Sequence, residues 1–272
     1  MNAPATLTPD VSLSAIDNLF NIVGQKVFVP GGYGALGEAI CWGFARHGAQ
    51  VAIAGPDIKK AERLADKIRS HGGIAKGFSL NAADVQQVQD TTDEVATTLG
   101  GIDTLINCVG ISLEQRLLDV TPEVFDKTYE INLRAAMFLG QAVARHQIKA
   151  ENGGCHIHLL SVRSQLALRD RGYSAYCATK GALVMIVKQH AMELAPYGIT
   201  VNGVAPTFIQ SDRIRKHLER EGFKDFILER NPLGRIGDPV EVVGQIITLA
   251  APAGKYITGQ VVYIDGGVTA SQ

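Results

Sequence analysis

The sequence predicts an α/β fold in which one seven-stranded parallel sheet is doubly wound, with helices on both faces. Three observations carry that expectation. Seven short β-rich runs alternate with longer stretches whose apolar residues recur every three or four positions, and a glycine-rich turn joins the first run directly to the first of those stretches. Strands separated by helical crossovers lie parallel and are covered on both sides.

Residues 1–22 mix Pro, Thr, Ser and Asp around a few apolar positions and read as a surface tail with at best one short helical turn. The folded domain is expected over 23–272. Its first strand, 26–29, enters the glycine turn and a helix at 36–47. The second strand, 50–54, leads to a helix at 58–70, and the third, 74–78, to a helix at 84–99. The fourth, 104–106, precedes a long helical pattern over 122–149, and the fifth, 156–160, precedes a helix at 174–194. The sixth, 200–204, is followed by a charged interval and a helix at 239–249, and the seventh is 261–264. The charged interval, 208–235, is too long for an ordinary connection. It is expected to form a lid above the carboxyl ends of the strands, the edge where open α/β sheets bind ligands. The competing reading is a solvated helical hairpin.

Composition narrows the functional classes. The 272 residues carry 26 Lys plus Arg against 27 Asp plus Glu, a net charge of -1, so no broad field draws the chain to nucleic acid or to an anionic membrane. No apolar run reaches the length of a membrane-spanning helix, and the N-terminus lacks the pattern of a signal peptide, which points to the cytoplasm. Cys41, Cys108, Cys155 and Cys177 are too scattered for a zinc site or a disulfide framework. His156 and His158 share one strand, but no third ligand accompanies them, and no metal is expected.

Two motifs carry chemistry. The turn from Gly31 to Gly37 opens into a helix, whose first N–H groups and positive dipole end suit a pyrophosphate, and its small residues let the backbone come close. A dinucleotide is the ligand such a turn fits. Further along, Tyr176 and Lys180 stand four apart on a predicted helix and so share a face. An adjacent cation favours the phenolate and lowers the pKa of a tyrosine from its usual value of about 10, which equips it for general acid–base work. Tyr173, the rival tyrosine, has Cys177 rather than a lysine four residues on.

Taken in order, these residues resemble the short-chain dehydrogenase/reductase family from Lys26 to Gly267. The turn at Gly31 to Gly37 is followed by Asn107-Cys108-Val109-Gly110 after the fourth strand, Asn132, Ser161 after the fifth strand, and Tyr176 with Lys180. Pro206, the run from Arg235 to Pro239, and Ile264-Asp265-Gly266-Gly267 complete the series. The resemblance implies a Rossmann-type fold and a catalytic tetrad of Asn132, Ser161, Tyr176 and Lys180 beside a nicotinamide cofactor. Tyr176 would exchange the substrate proton, and Ser161 would hydrogen-bond the same oxygen. Lys180 would assist the phenol and bind ribose hydroxyls, and Asn132 would hold a water leading from Lys180 to solvent. Ser164 competes with Ser161 for the serine role.

Cofactor contacts implied by the same resemblance fall on Gly31, Tyr33, Ala35, Leu36 and Gly37 in the turn, and on Asp57 after the second strand. Asn81 and Ala82 follow the third strand, and Asn107, Val109 and Gly110 the fourth. Tyr176 and Lys180 contribute again, with Pro206, Thr207, Ile209 and Ser211 beyond the sixth strand. The chain departs from the family at Pro30, where threonine is usual, at Asn81 for aspartate, and at Thr207 for glycine. Gly55 and Pro56 provide neither an acid nor a base for the ribose; with no basic residue in the turn, NAD is favoured over NADP. Arg163, and Arg213 on the expected lid, join Ser161 and Tyr176 as candidate substrate contacts, and arginines near the active edge favour a polar or anionic substrate. The expected activity is interconversion of a secondary alcohol and a ketone on a small sugar acid or polyol, as in gluconate 5-dehydrogenase-like members. The alternatives are a 3-oxoacyl-carrier-protein reductase-like enzyme and a non-catalytic dinucleotide-binding protein. A homo-oligomer, dimer or tetramer, is expected as well.

Overall fold

A computed structural model describes residues 12–211, 214 and 223–271. Seven strands form one sheet: β1 (Lys26–Pro30), β2 (Gln50–Gly55), β3 (Ile74–Ser79), β4 (Thr104–Asn107), β5 (Gly154–Leu159), β6 (Ile199–Pro206) and β7 (Val261–Ile264). Their spatial order is β3-β2-β1-β4-β5-β6-β7, and every neighbouring pair is parallel. Strand order reverses between β1 and β4, so crossovers leave in opposite directions there and open a crevice at the carboxyl ends.

The described helices are α1 (Leu13–Asp17), α2 (Ala35–Arg46), α3 (Ile58–Ser70), α4 (Val85–Leu99), α5 (Pro122–Tyr129), α6 (Ala135–Ala150), α7 (Ser174–Leu194), α8 (Phe223–Glu229) and α9 (Pro239–Ala250). The period of a strand divides the core. Val27 and Val29 pack with Ile40, Phe44, Ile157 and Ile246 on one face, whereas Phe28, between them, packs with Phe78, Leu105, Leu139 and Val143 on the other. A central strand buried on both sides needs few polar positions, which is why β1 and β2 read as nearly unbroken apolar runs.

One feature differs from the sequence-based expectation. The helical pattern over 122–149 is not one α-helix: residues Glu130–Arg134 form a π-helical turn between α5 and α6, and this turn carries Asn132. Tail residues 13–17 form the short helix α1, capped by Ser12. Residues 212, 213 and 215–222 of the expected lid, Arg213 among them, lie outside the described residues. Within the described part of that interval, α8 forms, and Ile209 pairs with Gly237 as an isolated parallel bridge. No helix among the described residues is long and apolar enough to cross a membrane.

Candidate active site

The glycine turn is packed as tightly as its sequence requires. Gly31 has φ +76°, and a Cβ on it would lie 2.8 Å from the Cys108 carbonyl group after β4. A Cβ on Gly37 would sit 2.4 Å from the Gly31 carbonyl oxygen. No other residue leaves the backbone free to follow this path. Gly34 caps α2 without any side-chain hydrogen bond, so the first N–H groups of α2 have no side-chain partner from that cap. A cradle of this shape fits a dinucleotide pyrophosphate, with Gly31, Ala35, Leu36 and Gly37 supplying the backbone.

A cleft of about 690 Å³ opens over the carboxyl ends of β1, β4, β5 and β6. Its wall includes the turn residues, Tyr33, Val109, Gly110, Ser161, Arg163, Tyr176, Lys180, Pro206, Thr207, Ile209 and Ser211. The fold therefore brings most of the residues singled out in the sequence into one concavity. Four of the expected cofactor contacts lie elsewhere. Asp57 caps α3, its carboxylate accepting from the N–H groups of Lys59 and Lys60 at 3.0 and 3.3 Å. Asn81 is exposed and its Oδ1 accepts from Ala83 N at 3.2 Å; Ala82 is half-buried beside it. Asn107 is buried behind the wall, where Oδ1 accepts from Val109 N at 3.0 Å and Nδ2 meets His158 Nδ1 at 3.2 Å. It shapes the loop that lines the cleft rather than lining it.

Three members of the expected tetrad line the cleft and the fourth supports it. Lys180 is buried, and its ammonium donates to the Leu159 carbonyl at 2.7 Å while lying 5.9 Å from the centre of the Tyr176 ring. Burial pulls its pKa down to about 8. Ser161 caps a short 3-10 turn and its Oγ accepts from Arg163 N at 3.1 Å. Ser164 donates to the Ser161 carbonyl at 2.7 Å and meets the Tyr263 hydroxyl at 3.2 Å, so the geometry places Ser161, and not Ser164, in the cleft.

Asn132 is fully engaged. Oδ1 accepts from Ile111 N at 2.7 Å, and Nδ2 donates to Ile111 O at 2.9 Å and to Thr179 Oγ1 at 3.2 Å. Its side chain fastens the loop after β4 to the helix carrying Tyr176. Thr179 in turn donates to the Tyr176 carbonyl at 2.8 Å. Gly110 passes close by: a Cβ there would meet Asn132 Oδ1 and Lys180 Nζ, each at 3.5 Å.

Of the two arginines on the loop after β5 that line the cleft, Arg163 and Arg171, only Arg171 is paired with a carboxylate among the described residues. Arg163 Nη1 donates to the carbonyls of Leu166 and Ala167 at 3.2 and 2.8 Å, which leaves Nε and Nη2 as donors at the cleft wall. Arg171 also lines the cleft but is neutralised by Glu114, with Nε to Oε1 at 2.6 Å and a second contact from Nη2 to Oε2. Gly172 N donates to the same carboxylate at 3.3 Å, and Gln115 N donates to Gly172 O at 3.0 Å, so the loops after β4 and β5 are clasped together. The Glu114 carboxyl is accordingly held below its usual range, chiefly by the Arg171 hydrogen bond. Glu114 and Thr179 were not apparent from the sequence, because each acts through a partner distant in the chain or through a backbone carbonyl.

A family profile described as enoyl-(acyl carrier protein) reductase matches residues 22–269. Gluconate 5-dehydrogenase of Gluconobacter oxydans is 32% identical over 93% of this chain and 98% of its own length. The 5-keto-D-gluconate 5-reductase of Escherichia coli is 27% identical, with 93% and 98% covered. Among solved structures, a gluconate 5-dehydrogenase from Burkholderia cenocepacia in complex with NADP and tartrate superposes with a TM-score of 0.89 at 32% identity, covering 94% of this chain and 99% of that one.

Proposed function

The chain belongs to the short-chain dehydrogenase/reductase family, and from that premise we propose that it interconverts a secondary alcohol and a ketone on a sugar acid, with Tyr176 as general acid–base. When bound, a nicotinamide dinucleotide, NAD or NADP, supplies or accepts the hydride. The observation that carries the reading is the convergence of Ser161, Tyr176 and Lys180 on the cleft that the glycine cradle enters.

In the reductive direction Tyr176 gives its phenolic proton to the substrate oxygen as the carbonyl carbon is reduced; in the oxidative direction the phenolate takes the hydroxyl proton. Ser161 accepts from Arg163 N, so its own proton is available to the same oxygen and stabilises the charge developing there. Lys180 spends one of its three protons on Leu159 O, which fixes the ammonium beside Tyr176, where its charge favours the phenolate. Asn132 and Thr179 hold helix α7 and the loop at Ile111 in register, and the chemistry depends on that distance being kept.

The relatives named for gluconate and keto-gluconate support a carboxylate-bearing substrate, and Arg163 has the free fork to bind one. Arg163→Ala should raise KM for a keto sugar acid by about 10- to 100-fold, the worth of a charged hydrogen-bonded pair, and leave a neutral polyol almost unaffected. The test is steady-state reduced-nicotinamide absorbance over sugar acids, polyols, hydroxy acids and acyl thioesters. Equal losses on acid and neutral substrates would remove Arg163 from recognition, and turnover confined to acyl thioesters would replace the sugar-acid reading. Assembly into a homo-oligomer is supported by the exposed apolar side chains Phe125 and Tyr129 on α5 and Met185 and Met192 on α7.

A further inference from the structure

We propose that Tyr33 takes the place of the missing acid at the end of β2 and reads the adenosine ribose as a neutral donor, so that the enzyme accepts both NAD and NADP. The inference rests on the dinucleotide reading given above.

The ring of Tyr33 lies on Gly55. A Cβ on Gly55 would fall 2.5 Å from Tyr33 Cε1 and 2.7 Å from both Cζ and the hydroxyl oxygen, so a side chain at 55 and this ring position exclude one another. The hydroxyl oxygen accepts from Asp57 N at 2.9 Å, which pins the phenol across the turn that follows β2. Pro56 has no N–H, and the Asp57 carboxylate is committed to the N–H groups at the start of α3 and to Lys60 Nζ at 3.8 Å. Tyr33 lines the cleft, and Gly55, Pro56 and Asp57 do not.

The polar group that this edge presents is therefore a phenol whose oxygen is fixed by Asp57 N and whose proton has no acceptor among the described residues. A carboxylate at that place hydrogen-bonds ribose hydroxyls and repels a 2′-phosphate, whereas an arginine attracts the phosphate. An uncharged O–H does neither. It can donate to a ribose hydroxyl or to a phosphate oxygen alike, so the preference for NAD suggested by the absence of basic residues is lost together with the acid that would have enforced it.

Equilibrium titration of the substrate-free protein with NADH and NADPH, by calorimetry, tests this for wild type, Tyr33→Phe and Gly55→Ala. Wild type should bind both within about tenfold of each other, and Tyr33→Phe, which keeps the ring and removes the proton donor, should weaken both by about three- to tenfold. Gly55→Ala should reproduce that loss by pushing the ring aside, and adding it to Tyr33→Phe should cost little more. Unchanged affinities in Tyr33→Phe, or a wild-type preference beyond about 100-fold for one cofactor, would overturn the proposal. Failure of wild type to bind either dinucleotide would instead overturn the functional reading on which it stands.

Discussion

Tyr176→Phe should lower kcat by about 10²- to 10⁴-fold, the contribution of a positioned general acid–base, while the variant folds and still binds dinucleotide. The change removes one oxygen and leaves the ring against Tyr173, whose centroid is 5.9 Å away, so packing of α7 is retained. The surviving rate comes from Ser161 and from holding substrate near the hydride position. Tyr173 does not substitute, because its hydroxyl accepts from Arg171 Nη2 at 3.2 Å, within the Glu114 clasp. The check is a comparison of kcat with the dinucleotide Kd in the same preparations. A variant that turns over as wild type does would remove Tyr176 from the chemistry, and one that fails to bind dinucleotide would point to a collapsed site instead.

The second large effect is on stability. His156 and His158 are both buried on β5, and burial pushes the His156 pKa down to about 3 and that of His158 well below its usual value. Each has one satisfied nitrogen. His156 Nε2 meets Gln147 Oε1 at 2.9 Å, His158 Nδ1 meets Asn107 Nδ2 at 3.2 Å, and neither second nitrogen has a partner to share an added proton. His190 and Lys180 lie close enough to oppose a further positive charge at His158. The folded state thus holds neutral imidazoles that the unfolded chain protonates first. Their contribution is fully present above the unfolded pKa of about 6.5 and is lost as pH falls from there toward the folded value. At about pH 5 the loss from His156 alone is about 2 kcal/mol, and His158 adds to it with the same sign. Urea unfolding between neutral pH and about pH 5 measures it before the carboxylates of Glu114 and Glu241, both lowered by arginine partners, begin to titrate. A stability that stays flat across that interval would show that both rings accept protons without cost.

The strands, the glycine turn and the Tyr176–Lys180 pair were legible because each depends on local spacing: the two-residue period of buried strands, the steric need at Gly31 and Gly37, and four positions on one helix face. The π-turn at Glu130–Arg134 was hidden, since widening a helix by one residue scarcely disturbs its apolar spacing. Also hidden were pairings across the fold. Arg171 carries its charge to the cleft wall, yet Glu114, on the loop after β4, takes that charge. Asp57 looks like a ribose-binding acid, yet capping α3 claims its carboxylate. In both cases the sequence shows a charge but not the nearby group that occupies it.

In the proposed mechanism hydride passes between a bound nicotinamide and a substrate carbon whose oxygen exchanges its proton with Tyr176. That transfer is tested most directly by supplying a reduced dinucleotide deuterated at its hydride-donating carbon together with a keto sugar acid, and locating the label by mass spectrometry and NMR. Deuterium on the new carbinol carbon, formed by wild type and nearly abolished in Tyr176→Phe, is the predicted result. Reduced product without the label, or equal labelling by both proteins, would contradict it.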